Sequence, residues 1–169
     1  MKLVFQTDST NSEYNADCDC AVVEVTPALV KLTRRRAELA KQARRRDRDL
    51  WELYFWGRIA EFFDYDLISA CEAAFGDPKE AKDWSDGFER DGHAVLPPTA
   101  DLAALEPHRT ECDQMILRCV PGSRRTDIEV AWLTIPKHTD IYITTRDVTL
   151  ATLETLIAQQ TPAKPWRSK

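Results

Sequence analysis

The feature that most constrains the fold is a change of hydrophobic period at Val25 and Thr26. Residues 20–25 are apolar and rich in β-branched side chains, which is typical of a strand. Thr26 is followed by Pro27, which predicts a helix N-terminus, because the hydroxyl accepts a backbone N–H bond and proline lacks only an N–H that the first turn leaves unpaired. Val25 and Val30 occupy the two positions of a hydrophobic staple. A strand is therefore expected to lead directly into a helix.

We expect this helix to run from about Pro27 to about Arg48. At about 100° per residue, one side is apolar and the opposite side is basic. Arg36 falls within the apolar arc, so its side chain should snorkel towards solvent or meet a carboxylate. The apolar side comprises Leu29, Leu32, Leu39, Ala40 and Ala43, and the basic side comprises Lys31, Arg34, Lys41, Arg44, Arg45 and Arg48.

The middle of the chain is rich first in aromatic residues and then in acids. Residues 51–65 hold seven of the fifteen aromatics. Aromatic density on both sides of Gly57 predicts the two strands of a hairpin, and a helix with its aromatics on one face is the alternative. Residues 68–75 predict a short helix ended by Gly76. Residues 77–107 contain glycines and adjacent prolines, so short helical turns and loops are expected there.

Three apolar runs near the C-terminus, QMILRCV, IEVAWLTIP and IYITT, predict an antiparallel meander. The middle run is apolar at both parities, which favours a central strand. A last helix should follow, with Thr149 as N-cap, Val148 and Leu153 as a staple, and Leu150, Leu153 and Ile157 on the buried side. The expected fold is therefore α+β, with a mostly antiparallel sheet, a long basic N-terminal helix and a shorter C-terminal helix. Residues 1–160 are expected to form one domain, and residues 161–169 a flexible basic tail.

The net charge of -5 conceals a division along the chain. Residues 31–48 hold nine basic and two acidic side chains, whereas all other residues together hold 14 basic and 26 acidic ones. The strongest acidic stretch is residues 61–91, with ten carboxylates and three bases. The chain is thus predicted to carry one basic and one acidic surface.

Several functional classes lose support because their motifs are missing. The five glycines form no phosphate-binding loop, and the sequence has no nucleophile elbow, zinc-protease motif or EF-hand loop. An odd number of cysteines and an N-terminus without an apolar signal core favour reduced thiols in the cytoplasm. No apolar run suits a membrane span. We therefore expect a cytoplasmic protein that does not bind membranes, and we lean towards a protein that is not an enzyme.

One set of residues could bind a metal. Cys18 and Cys20 are separated by one residue, and His108 and Cys112 lie four apart. Thiolate and imidazole groups are ligands that zinc prefers, so this set predicts a zinc site and no other cofactor. The alternative is that Cys20, like Cys71 and Cys119, is a small core residue, while Cys18 and Cys112 are loop thiols.

The charged segments are open to several interpretations. The basic helix could bind nucleic acid, could be a solvated face, or could dock an acidic partner, including the acidic segment of a second copy of the chain. The acidic segment could imitate spaced phosphates, because Asp77, Glu80, Asp83, Asp86 and Glu89 recur every three residues. The alternative is a solubilising loop, since Gly87 and the nearby prolines oppose one rigid helix.

The stretches ADCDCAVVEVTP, ELYFWGRIAEFF, ECDQMILR and IPKHTDIYITT are similar to stretches of small uncharacterised accessory proteins carried by bacterial plasmids and phages. The resemblance covers most of the chain and implies an accessory or host-modulating role on a mobile genetic element. It includes no motif of known role, so it implies no functional residue.

The leading hypothesis is a non-enzymatic binding protein of the inhibitor or immunity type, which modulates a macromolecular partner through its charged surfaces. A protein partner is favoured, and a homo-oligomer is compatible with the same surfaces. The first alternative is the zinc site, and the second is nucleic-acid binding by residues 31–48. The expected contact residues are Arg34, Lys41, Arg45 and Arg48 on the basic surface and Asp83, Asp86 and Glu89 on the acidic one.

Overall fold

The computed structural model describes nine stretches of the chain. They are residues 1–9, 20–42, 55–56, 59–64, 66–109, 114–119, 128–133, 143–145 and 148–160. Within them, no helix is both long enough and apolar enough to span a membrane.

The described elements confirm an α+β fold. The strands are β1 (Lys2–Ser9), β2 (Cys20–Glu24), β3 (Glu61–Phe63), β4 (His93–Val95), β5 (Gln114–Cys119), β6 (Ile128–Leu133) and β7 (Ile143–Thr145). The helices are α1 (Pro27–Gln42), α2 (Asp66–Ala73), α3 (Pro78–Asp91) and α4 (Leu150–Gln160), and a short 3-10 helix spans Glu106–His108. Every strand pairing given for these elements is antiparallel. The main sheet has the order β3-β2-β1-β4, and β7 also pairs with β1.

The main sheet buries apolar side chains on both faces. In β1, Leu3 and Phe5 point to one face and Val4 points to the other, because side chains alternate along a strand. The first face packs against Leu29 of α1 and Leu153 of α4, in a core that also contains Val23 and Phe62. The second face packs against α2 and α3, through Leu67, Ile68, Cys71 and Phe88. The sheet is therefore a middle layer between two pairs of helices.

Helix α1 begins as the sequence predicts. The backbone N–H of Leu29 donates to Thr26 Oγ1 at 3.1 Å, so Thr26 is the N-cap. Val25 is buried, and Val30 packs against the same core, as expected of a hydrophobic staple. The structure describes α1 as far as Gln42, and the predicted continuation to Arg48 falls outside the described residues.

The predicted apolar side of α1 is wrong at Leu32. Its side chain is 52% exposed, whereas Leu29 is 5% exposed and Thr33 is fully buried. At about 100° per residue, the buried arc of α1 is centred between Leu29 and Thr33 and extends towards Val30, and Leu32 lies about 80° from that centre on the side away from Val30. The guanidinium of Arg36, which was expected to snorkel or meet a carboxylate, stacks over the Phe55 ring at 5.5 Å.

The predicted aromatic hairpin is also wrong. Phe55, Trp56 and Ile59 are helical, and the N–H of Ala60 donates to the Trp56 carbonyl. The following strand, β3, pairs with β2. Trp56 packs on Phe5 of β1, with 5.0 Å between ring centroids. The aromatics here fill the core on one face of a sheet, a role that helical residues serve as well as strand residues.

Residues 78–91 form one helix, not the short turns and loops expected. Asp77 caps α3 by accepting the N–H of Lys79 at 2.9 Å, and Pro78 occupies the first position. Gly92 ends the helix with a φ of 70°, and its N–H donates to the Phe88 carbonyl. A mid-helix Gly87 costs roughly 1 kcal/mol, which two lysine–aspartate pairs and the burial of Phe88 offset. The predicted short helix before Gly76 is confirmed as α2.

The C-terminal strands differ from the predicted meander. β5 and β6 form the expected antiparallel pair, with Gln114 opposite Leu133. However, β7 pairs with the end of β1, with Thr7 opposite Thr145. Among the described strands, β6 has only β5 as a neighbour, so the prediction that it is central is wrong. The strands with buried side chains at both parities are β1 and β2, which lie inside the main sheet.

Helix α4 is confirmed in its start and, at Leu153 and Ile157, in its buried side, whereas the predicted Leu150 is only half-buried and lies outside the packed core cluster. Thr149 Oγ1 accepts the N–H of Thr152 at 3.2 Å, and Val148 and Leu153 are buried. Ile157 packs against the same core from one turn further along. The C-terminal helix therefore joins α1 on the first face of the sheet.

The orientation of α1 can be tested with two matched leucines. Leu29→Ala should lower the free energy of unfolding by about 2–5 kcal/mol, because it leaves a cavity in the core. Leu32→Ala should change it by less than about 0.5 kcal/mol, because the side chain is already largely in water. Urea unfolding followed by circular dichroism measures both. Equal losses at the two positions would show that α1 is rotated differently.

Candidate functional site

The outer side of α1 is a basic surface. The helix carries five basic residues and one acidic residue, Glu38. Arg34 forms an ion pair with Glu154 of α4, and Arg35 pairs with Glu38 at 3.1 Å. Lys31 and Lys41 are exposed and form no ion pair within the described part of the chain. Of the four predicted basic contact residues, Arg34 and Lys41 are thus on this surface, and Arg45 and Arg48 lie outside the described residues.

The outer side of α3 is acidic but partly neutralised. Asp83 and Asp86 form ion pairs with Lys79 and Lys82 at 3.3 and 3.0 Å. The hydrogen bond that Lys82 donates to Asp86 raises the pKa of Lys82, and the charges of Asp86, Glu89 and Asp83 add to this effect. The three predicted acidic contact residues therefore share one patch around Lys82. Residues three apart on an α-helix differ by about 60° around its axis, so the three carboxylates wind around α3 and do not lie in one straight row.

The two charged helices lie on opposite faces of the main sheet. α1 packs on the face of Leu3 and Phe5, and α3 packs on the face of Val4. Each helix layer lies about 10 Å from a packed sheet, which puts about 20 Å between the two helices. At that distance two exposed charges are largely screened from each other in physiological salt. Each surface can therefore attract its own partner.

A third group of charged side chains gathers at His108. Its Nδ1 lies 3.1 Å from Asp66 Oδ2 and 3.4 Å from Asp64 Oδ2. One ligand atom from each of the three residues lies within 4.8 Å of the others. The imidazole side chain is 42% exposed, so solvent reaches the group. Carboxylate oxygens with an imidazole nitrogen can bind a divalent metal, and the same atoms also form an ion pair when the histidine is protonated.

Backbone hydrogen bonds hold this histidine group in place. Asp64 follows β3, and its Oδ1 accepts the N–H of Asp66 at 3.1 Å, which caps the start of α2. The N–H of Asp64 donates to the His108 carbonyl at 3.2 Å. Next to this bond, Phe63 and Arg109 form an isolated antiparallel bridge. The end of the 3-10 helix is thereby fixed against the end of β3.

Two of the four predicted zinc ligands meet at Asp64. The Cys20 thiol donates to the carbonyls of Asp64 and Phe63, at 3.3 and 3.6 Å, while His108 contacts Asp64 through its ring and its carbonyl. Cys18 and Cys112 lie outside the described residues. Sequence reasoning missed Asp64 and Asp66, although two aspartates in front of an apolar helix are a recognisable capping signal.

Two of the cysteines are core residues. Cys20 and Cys71 are both fully buried and reduced, as one of the two sequence interpretations holds. Burial, with a smaller contribution from the charge of Glu72, raises the pKa of the Cys71 thiol to about 12. A thiol of this kind is protonated at neutral pH, so Cys71 cannot act as a nucleophile or metal ligand without local unfolding.

Comparisons with family models, with curated proteins and with solved structures found no match to this chain. The functional interpretation therefore depends on the residues themselves. The resemblance to accessory proteins of plasmids and phages stays a hypothesis.

The burial of Cys71 predicts its reactivity. At pH 8 the native protein should leave Cys71 unmodified by iodoacetamide, whereas the protein in concentrated urea should be alkylated there. The pKa of the thiol is higher in the folded state than in the unfolded state, so its contribution to the free energy of unfolding is complete below about pH 9. That contribution is lost as the pH rises towards 12. Peptide mass spectrometry measures the modification. Equal alkylation with and without urea would contradict this placement.

Proposed function

We propose that this chain is a non-enzymatic binding protein of the inhibitor or immunity type, which modulates a macromolecular partner in the cytoplasm through two charged surfaces. The observation that carries the proposal is that basic α1 and acidic α3 pack on opposite faces of one sheet. Complementary charge raises association rates and selects between partners, and separated surfaces do this independently. The resemblance to accessory proteins of plasmids and phages fits such a role.

The proposal includes a longer basic helix than the described one. If α1 continues to about Arg48, it gains Arg44, Arg45, Arg46 and Arg48 and loses charge only at Asp47. The proposed contact residues are then Arg34, Lys41, Arg45 and Arg48. Lys41 is the clearest of them, because Arg34 already pairs with Glu154 and a partner would have to compete with that carboxylate.

The acidic contact residues in this proposal are Asp83, Asp86 and Glu89. The lysines that pair with these carboxylates belong to the same helix. A cationic partner would therefore replace exposed ion pairs within the helix by ion pairs with the partner. Such exposed pairs are worth about 0–1 kcal/mol each, so the exchange costs little. A basic protein surface is the partner that this patch fits.

Charge reversal tests the proposal. Lys41→Glu with Arg45→Glu, and separately Asp83→Lys with Asp86→Lys, should each lower the recovery of a surface-specific partner by about tenfold or more, equivalent to about 1.4 kcal/mol. Quantitative affinity purification from a bacterial extract, read by mass spectrometry and by nucleic-acid staining, measures this recovery.

The control is Glu24→Lys, which reverses an exposed charge at the end of β2 and changes the net charge as one acidic-surface substitution does. It should recover the wild-type set of partners. Recovery of the same partners after reversal of both surfaces would refute the proposal. Recovery of nucleic acid alone, lost with the basic surface, would support the nucleic-acid alternative instead.

A second candidate function is zinc binding. The observation that favours it is that Cys20 and His108, which are distant in sequence, both contact Asp64. Cys18 is two residues from Cys20 in the sequence and Cys112 is four residues from His108, so the proposal includes them, although both lie outside the described residues. Asp64 and Asp66 provide oxygen ligands at the same place. Zinc accepts sulfur, nitrogen and carboxylate ligands in such sites.

Titration of the chelator-treated protein with zinc tests this candidate. Wild type should bind about one zinc ion and unfold at a higher temperature with it, because a ligand that binds only the folded state stabilises that state. His108→Gln should lose both effects, and His93→Gln should keep them because His93 lies on β4, outside the group. Calorimetry and thermal unfolding measure both. A wild type that neither binds zinc nor gains stability would rule out the site.

A further inference from the structure

An apolar side chain is exposed within the basic surface of α1. Leu32 is 52% exposed, next to the exposed residues Lys31 and Arg35. Arg34, which pairs with Glu154 of α4, lies on the other flank of the helix. The flank of Leu32 is therefore the one turned away from α4. A surface of this kind fits a partner that offers carboxylates beside an apolar group.

The acidic surface of the same chain has an apolar group at one edge, next to Asp83, where the Trp84 ring stacks on Phe88 and its indole N–H donates to the Val95 carbonyl. Asp83, Asp86 and Glu89 lie on α3, which also carries the half-buried ring of Trp84. The Phe75 ring lies beside Trp84, with 6.1 Å between ring centroids.

We infer that one partner of this protein is a second copy of the chain, with α1 of one molecule docked against α3 of the next. This inference rests on the proposed function, because it uses the same two surfaces and names what binds them. Lys31 and Arg35 meet the acidic patch, and Leu32, which lies on the same flank of α1, is buried against the Trp84 side of α3. Docking α1 against α1 of a second copy would instead bring cations together, which is unfavourable.

The arrangement of the surfaces sets the symmetry of the assembly. α1 and α3 are on opposite faces of the sheet, so a molecule that has used one surface still presents the other. Such a contact is heterologous, and it extends head to tail instead of closing into a two-fold dimer. The contact depends on exposed charges, so salt should weaken it.

Sedimentation velocity of the full chain tests the inference. At about 20 mM salt, wild type should form a concentration-dependent series of species beyond the dimer, and at about 500 mM salt it should be a monomer. Two double variants remove one surface each: Lys31→Glu with Leu32→Glu on α1, and Asp86→Lys with Glu89→Lys on α3. Each should be monomeric at low salt. Glu24→Lys should assemble as wild type does.

The decisive sample is an equimolar mixture of the two double variants. One retains a working α3 surface and the other a working α1 surface, so the mixture should form a one-to-one dimer and nothing larger. Circular dichroism and urea unfolding of each variant confirm that the fold is retained. If one variant fails to fold, Lys31→Glu alone and Glu89→Lys alone should each still weaken wild-type assembly at low salt.

Three results of these experiments are incompatible with head-to-tail assembly through α1 and α3. A wild type that is monomeric at low salt, a closed dimer unaffected by the variants, or a mixture that stays monomeric would overturn the inference. The proposed function would survive these results if the purified partners still depend on the charged surfaces. It would fail with the inference only if those partners are also unchanged by charge reversal.

Discussion

The structure depends on strand β1 being apolar on both faces while it pairs on both edges. Its neighbours are β2 and β4, and its last residues pair with β7. Leu3 and Phe5 build one core and Val4 builds the other. A sheet with one polar face would place all helices on the same side. Because both faces of this sheet must be covered, the helices divide into two pairs, and the charges that they carry are divided with them.

The division of charge is therefore a consequence of packing. α1 and α3 each bury one side against the sheet, so their charged side chains face solvent in opposite directions. Within each helix, ion pairs between neighbouring side chains neutralise part of the charge, as in the pairs of Arg35 with Glu38 and Lys79 with Asp83. Exposed pairs of this kind are weak, so both surfaces remain available to partners. Asp64 also links separate parts of the fold, since it caps α2 and contacts both Cys20 and His108.

Capping residues in the sequence predict where helices begin, whereas they do not predict which strands pair or which side of a helix is buried. The N-caps at Thr26 and Thr149 follow from hydroxyl chemistry, and both are confirmed. Asp77 and Pro78 carry the same signal, and the helix that they begin tolerates Gly87 in its interior. Leu32 was assigned to the buried side because periodicity alone does not fix the centre of the buried arc. The arc is set by where α4 packs, which is a tertiary contact.

The candidate site shows the same limit. Cys20 and His108 could be singled out by residue type, yet Asp64 and Asp66 were recognisable only as part of a helix start. Their meeting with His108 depends on the backbone bond between Asp64 and the 3-10 helix, a contact between residues distant in sequence. Strand partners are non-local in the same way, which is why β7 was assigned to a meander and not to β1.

A distance measurement within one molecule can show whether the basic and acidic surfaces lie on opposite faces of one sheet. Nitroxide labels on genetically encoded residues at positions 31 and 86 leave the native cysteines untouched. Pulsed electron–electron double resonance then measures the distance between the two labels. High salt and dilution of labelled protein in unlabelled protein ensure that this distance lies within one molecule. The account predicts a single distance of more than about 25 Å, since two helix layers and the sheet lie between the labels. A distance below about 15 Å would place both helices on the same face and contradict the account.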